Sequence, residues 1–203
     1  SHDADISECS YAEIKDEEVK PAQFGGKLEV GTGNFLLEKF IAGDIFYGLC
    51  TKLFKKGIFE KVRFPQERIF EDTWLTLEIC LGSYKYVRDP QVKYFYNQTP
   101  GSIIRSNVSQ RKAREYIYIL ESQLDLVNAK VNDAVTMDRL HQRIMEKSVF
   151  WYLGLALSGN PLIRNVYARV YLERMNWPVS KLLQSSKIPL KNKITFTLCR
   201  LFS

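Results

Sequence analysis

Apolar and polar residues alternate with small lapses from Asp5 to Ile14 (Asp-Ile-Ser-Glu-Cys-Ser-Tyr-Ala-Glu-Ile), the two-residue period of a half-buried strand. Residues 15–27 are polar and end in Gly25-Gly26, a composition that reads as a loop between paired strands. Thr32 and Asn34 are helix-start residues, and Phe35, Leu36, Phe40 and Ile41 recur at helical spacing until Gly43. After the apolar run Ile45 to Cys50, residues 51–60 predict a short amphipathic helix or two turns broken by Gly57. Phe70, Trp74, Leu77 and Leu81 then form one stripe of a helix whose first turn holds Glu71 and Asp72. Tyr84 to Arg88 and Val92 to Tyr96 predict two strands split by Asp89-Pro90, and Gln98 to Ser102 is turn chemistry.

From Ser109 onward the period is helical. The expected helices cover roughly 109–130, 133–158 and 161–176, with a C-terminal piece after Pro178, and Ser109 and Asp133 are the natural caps. The fold class expected is therefore α+β: a mixed α/β first half, residues 1–104, followed by an all-helical half, residues 105–203.

Composition adds compartment and charge. The 203 residues are 45% apolar and 26% charged, ordinary globular usage for a chain long enough to bury a core without disulfides or metals. Cys9, Cys50, Cys80 and Cys199 stand apart with no metal-ligand spacing, which fits a reducing, cytoplasmic setting. The acidic opening carries no apolar h-region. The longest uncharged run, Ser148 to Ile163, has 16 residues, against the roughly 20 that a spanning helix needs. The net charge of +6 divides unevenly, with −2 on residues 1–110 and +8 on residues 111–203. A basic half faces something anionic or is simply a solvated surface. Its end, from Lys181 to Phe202, interleaves cations with aliphatics and has no acid after Glu173. That pattern suits peripheral contact with anionic lipid, on the inner face of the cytoplasmic membrane. Signatures of common RNA- and DNA-binding folds are absent, so no nucleic-acid partner is expected.

Residues 51–70 hold Lys52, Lys55, Lys56, Lys61, Arg63 and Arg68 against Glu60 and Glu67, a local net of +4, and run directly into Glu71-Asp72. Cations can neutralise a phosphorylated ligand, and a helix N-terminus holds a carboxylate ionised, ready to accept a proton. At about 100° per residue, Asp72 would point away from the Phe70/Trp74/Leu77/Leu81 stripe and Glu71 toward its flank. This makes Asp72 the freer acid and Glu71 the structural one. Read alone, the pair is better taken as two first-turn acids, each stabilising a helix start by about 0.3–1 kcal/mol.

Several ordered blocks together are more specific. They are Lys52-Leu53-Phe54-Lys55-Lys56, Phe59, Arg63-Phe64-Pro65, Ile69-Phe70-Glu71-Asp72-Thr73-Trp74, Tyr94-Phe95-Tyr96-Asn97-Gln98 and Gly101-Ser102-Ile103. Over residues 5–103 this series resembles the second half of bacterial family 2 glycosyltransferases of the GT-A fold. The resemblance implies an inverting transfer of a sugar from a nucleotide-diphosphate sugar to a hydroxyl of a glycan or lipid-linked acceptor, in cell-surface polysaccharide synthesis. It carries the role of catalytic base to Asp72, beside Glu71. It makes Lys52, Arg68, Gln98 and Ser102 candidates for the shell around the departing diphosphate, with Tyr96 opening the loop that borders diphosphate and acceptor. Trp74 is a candidate stacking platform for the acceptor sugar, although its place on the apolar stripe favours core packing.

The family's nucleotide pocket and its Asp-x-Asp precede the strand at Ile6, so the match covers an acceptor-side portion. The divalent cation, Mg or Mn, is expected in the full-length enzyme and not in this chain. Asp3-Ala4-Asp5 has the letters of that motif but runs straight into a strand, and is read as chance. At Cys50-Thr51 relatives often carry Trp or Asn before the Lys. His141 has no second ligand at metal spacing, and Trp151-Tyr152 with Phe150 and Leu153 reads as a core or interface stripe that a homo-oligomer can use. The alternative function is a non-catalytic interaction or membrane-docking module.

Overall fold

The computed structural model describes residues 3–15, 18–20, 26–99, 102–103 and 106–201. Gly25, Pro100 and Gly101, to which turns are assigned above, lie outside that set. The chain is mixed α/β, with a curled mixed sheet in its first half and helices in its second. It divides into two compact units, Ser1–Ser106 and Asn107–Ser203.

In the first unit β1 (Ile6–Lys15) is central. It pairs antiparallel with β2 (Glu18–Lys20) at one end and with β4 (Lys52–Phe54) at the other, and parallel with β5 (Tyr86–Asn97) along its length. β3 (Glu29–Gly31) closes the far side of β5. Of the even residues of β1, Ile6, Glu8, Ser10 and Ala12 are buried and Ile14 is half-buried. Around Ile6, helices α1 (Phe35–Ala42) and α3 (Glu71–Cys80) supply Leu36, Thr76, Ile79 and Cys80. Gly43 ends α1 at φ +77°, a left-handed position where glycine carries no Cβ penalty, and its N–H reaches the Phe40 carbonyl at 3.0 Å.

Two expectations change here. Residues 51–60 are not one amphipathic helix: Lys52–Phe54 is strand, and only Ile58–Lys61 (α2) is helical. Strand pairing outweighs local period because the register Glu8↔Lys52 brings opposite charges together inside the unit. The two strands predicted around Asp89-Pro90 are one strand. Pro90 cannot donate to a ladder, and the register slips between Cys9 and Tyr11 to accommodate it. Three extra β5 residues are taken up there, since Cys9 pairs Asp89 while Tyr11 pairs Tyr94. Asp89 Oδ1 accepts the Gln91 N–H at 2.9 Å and closes the local turn.

The second unit is helical: α4 (Gln110–Lys130), α5 (Ala134–Ala156), a π-helical turn (Ile163–Tyr167) leading into α6 (Ala168–Met175), then α7 (Val179–Gln184) and α8 (Leu190–Leu201). The C-terminal piece is thus two helices, separated at Ser185–Pro189. Both predicted caps are made: Ser109 Oγ accepts the Lys112 N–H at 3.2 Å, and Asp133 Oδ2 accepts the Thr136 N–H at 2.8 Å. The core runs through Leu120, Leu140, Tyr152, Leu155, Tyr171 and Phe196. Of the aromatic stripe, Tyr152 is fully buried, Trp151 stacks on Tyr116 at 4.9 Å and Phe150 is 47% exposed. His141 Nε2 lies 3.1 Å from Asn128 Oδ1 on the helix surface.

Candidate functional site

The approach to Glu71-Asp72 is irregular and strained. Glu67 and Phe70 have φ of +58° and +62°, two of the four left-handed non-glycine residues among those described. Such conformations cost about 1–3 kcal/mol each and persist where surrounding contacts fix them. Buried Ile69 anchors the segment between them. Phe70 occupies the cap position of α3 without a side-chain cap, and its carbonyl takes the Thr73 N–H at 3.0 Å. Asp72 Oδ1 accepts the Thr73 N–H at 2.6 Å and the Thr73 hydroxyl at 3.3 Å. These two bonds fix the orientation of the Asp72 carboxylate in the first turn.

The face that α3 buries differs from the predicted stripe. Its buried positions are Thr73, Leu75, Thr76, Leu77, Ile79 and Cys80, while Trp74, Phe70 and Leu81 are only half-buried. The two threonines enter the core because their hydroxyls are satisfied: Thr76 Oγ1 donates to the Asp72 carbonyl at 2.7 Å and lies 3.2 Å from the Tyr47 carbonyl. The assignment of roles by azimuth is reversed as a result. Glu71 is the exposed acid, on the side of Trp74, and Asp72 is half-buried against Thr73. Trp74, expected in the core, is half-buried.

Lys52 is elsewhere, in a buried ionic network that sequence reasoning missed. Its side chain is 4% exposed, and the ammonium meets Glu8 Oε1 at 2.7 Å, the Phe46 carbonyl at 2.6 Å and the Gly48 carbonyl at 3.0 Å. An ammonium has three protons, and these three acceptors use them. Lys52 is therefore a structural cation and not a diphosphate ligand. The fully buried Glu8 also accepts from the Tyr86 hydroxyl and, at 3.3 Å, from Arg88 Nε. Arg88 continues outward to Asp44 Oδ1 at 2.9 Å and the Asp44 carbonyl at 2.6 Å. Lys39 closes the series on Glu29 at 2.6 Å and Asp44 at 2.7 Å. Three cations (Lys39, Lys52, Arg88) thus face three carboxylates (Glu8, Glu29, Asp44), and the network is neutral. Burial and the adjacent Glu8 carboxylate push the Tyr86 hydroxyl far above its ordinary range. Burial alone would raise the Asp44 carboxyl, but Lys39 and Arg88 outweigh it and hold it below the usual value.

The remaining predicted residues lie apart. Arg68 is exposed in the strained approach to α3. Tyr96 is half-buried on β5 opposite Glu13, and Gln98 Nε2 donates to Glu13 Oε2. Ser102 is half-buried, its N–H 3.4 Å from the Thr99 carbonyl. The fold therefore gathers Arg68, Glu71, Asp72 and Trp74 at the start of α3, and Tyr96 and Gln98 at the end of β5, while Lys52 faces Thr76, Ile79 and Cys80 farther along α3.

The fit of a divalent cation follows from Asp3 and Asp5. Both pair with Lys55, at 3.0 and 3.1 Å, and Asp5 Oδ2 also accepts the Lys85 N–H at 2.8 Å. Among the described residues no group of three or more His, Cys, Asp or Glu side chains gathers to hold an ion. No protein-family model and no curated protein matches the chain.

Proposed function

We propose that this chain forms the acceptor-side part of an inverting glycosyltransferase, with Asp72 as the general base. The observation that carries the reading is the ordered series of blocks from Lys52 to Ile103, with its Glu-Asp pair in the first turn of α3. The local geometry supports it: Asp72 follows two left-handed residues, and its Oδ1 is positioned by the Thr73 N–H and hydroxyl. An acceptor hydroxyl loses its proton to the Asp72 carboxylate as its oxygen bonds to the anomeric carbon. The bond from that carbon to the diphosphate oxygen breaks, and its electron pair leaves with the diphosphate. A base so placed contributes about 10²–10⁴-fold. Arg68 and Gln98 remain candidates for charge and hydrogen-bond stabilisation around the diphosphate, and Trp74 offers an apolar ring for a sugar face.

A divalent cation, when bound in the complete enzyme, would supply further neutralisation of the diphosphate. The substrates are a nucleotide sugar and a glycan or lipid-linked acceptor, in cell-surface polysaccharide synthesis at the cytoplasmic face of the membrane. The second reading, a non-catalytic module derived from such an enzyme, is favoured by one observation: Lys52 is committed to Glu8. Asp72→Asn introduced into the chromosomal gene separates the two. The base reading expects surface-glycan output to fall about 10²-fold or more with thermal unfolding of the purified chain unchanged. Near-normal output removes Asp72 from the chemistry and leaves the module.

A further inference from the structure

Helix α8 is anchored by one side. Phe196, fully buried, meets Tyr152 edge-on at 5.0 Å, Lys193 Nζ donates to the Leu183 carbonyl at 2.8 Å, and Arg200 donates to the Trp177 carbonyl at 2.5 Å. Away from this anchor, Leu190, Ile194, Leu198 and Leu201 are 71%, 53%, 50% and 73% exposed. At about 100° per residue these four fall within roughly 80° of azimuth, with Lys191 about 60° to one side and Lys193 and Arg200 about 100–120° to the other. A surface helix of a globular unit turns its aliphatic stripe inward. In α8 a continuous aliphatic stripe faces outward with exposed Lys191 on one flank, while Lys193 and Arg200 lie toward the anchored side.

We propose that α8 is a docking face for an anionic lipid surface. The stripe enters the headgroup–acyl boundary, and Lys191 beside it meets lipid phosphate while its stem lies along the apolar layer. Charge complementarity selects the occupant. Arg174, Lys181 and Lys187 already meet Glu121, Asp138 and Glu146, at 2.9, 3.0 and 4.0 Å. Lys191 is exposed on α8, and no acid follows Glu173 in the sequence. A second copy in two-fold contact would set this acid-free segment against itself, a like-charge juxtaposition. A nucleic acid would match the cations but leave the four aliphatics without aromatic stacking to contribute. An anionic bilayer satisfies stripe and cations together.

The test is sedimentation of the full chain with vesicles of phosphatidylcholine, with and without one-quarter phosphatidylglycerol, at low and high salt. Binding is expected only to the anionic vesicles and weakens with salt. Lys191→Gln lowers the affinity about fivefold. Ile194→Ser and Leu198→Ser each lower it about tenfold or more, with thermal unfolding unchanged because both side chains are half exposed. Equal binding to neutral vesicles, or binding to neither, overturns the proposal. So does a dimer in light scattering that the Ile194→Ser/Leu198→Ser pair dissociates. None of these readouts depends on Asp72, so failure here is separable from failure of the glycosyl-transfer reading.

Discussion

Replacing Lys52 by Met tests whether that cation is structural. Met retains the length and apolar stem but removes the three contacts to Glu8, Phe46 and Gly48. Glu8, fully buried, keeps Tyr86 and Arg88 but loses its closest cation. Breaking a buried ion pair from one side costs about 3–5 kcal/mol, and the surviving Arg88 contact places this case near 3. The Gly48 carbonyl loses less, because Thr51 Oγ1 also lies 3.2 Å from it. For a unit of about 100 residues, about 3 kcal/mol lowers the melting temperature by roughly 12–24 °C. Urea unfolding followed by circular dichroism gives the free energy, and hydrogen exchange in β1 and β5 localises it to the first unit. The cycle with Glu8→Gln should show the double variant losing less than the sum of the singles, since each removes the other's partner. A Lys52→Met chain within about 0.5 kcal/mol of the parent, the range of ordinary surface substitutions, would refute the structural assignment and return Lys52 to the list of ligand candidates.

Two further outcomes follow from the same structure. Asp133→Ala removes the acceptor of the Thr136 N–H and is expected to destabilise the helical unit by about 1 kcal/mol, read from urea midpoints, whereas Asp133→Asn should cost a fraction of that. Stability should also fall in acid: the carboxyls of Asp5, Asp44 and Asp89 are held below 3.8, by the Lys85 N–H and Lys55, by Lys39 and Arg88 against burial, and by Lys93. Groups depressed in the folded state stabilise it above their unfolded value, so unfolding free energy should be flat through the mid-acid range and drop as pH falls below about 4; a midpoint constant down to pH 3 would contradict this.

The elements that sequence periodicity located well are those that local chemistry decides. β1, α1, α4 and α5 carry their own period and caps, and Gly43, Ser109 and Asp133 end or start them by their own side chains or lack of one. What escaped is decided by distant partners. β4 is strand where Glu8 is opposite Lys52, and α3 turns threonines inward because the Tyr47 and Asp72 carbonyls satisfy Thr76 and the Asp72 carboxylate satisfies Thr73. The buried network left one trace in the sequence: Glu8 falls in phase with Ile6 and Ala12, and Arg88 in phase with Tyr86. A charged residue in step with a buried set signals a buried partner. Of the candidate site, Asp72 at a helix start was legible from its neighbours. The commitment of Lys52 was not, because nothing local in residues 51–70 names Glu8.

The register slip in β5 has a consequence for how this segment can change in length. Ahead of it Tyr86 and Arg88 pair with Ile6 and Glu8, and beyond it Tyr94 and Tyr96 pair with Tyr11 and Glu13. Paired residues of parallel strands share a face, so the odd number of extra residues swaps which face the even positions of β5 occupy. Pro90 to Lys93 acts as a phase shifter. Removing Lys93 alone would restore unbroken alternation with Tyr94 still opposite Tyr11, whereas bringing Phe95 to that face requires the strand beyond the slip to move its pairing by one residue. The pairing register beyond the slip, more than the number of residues within it, determines which aromatic rings reach each face of the sheet.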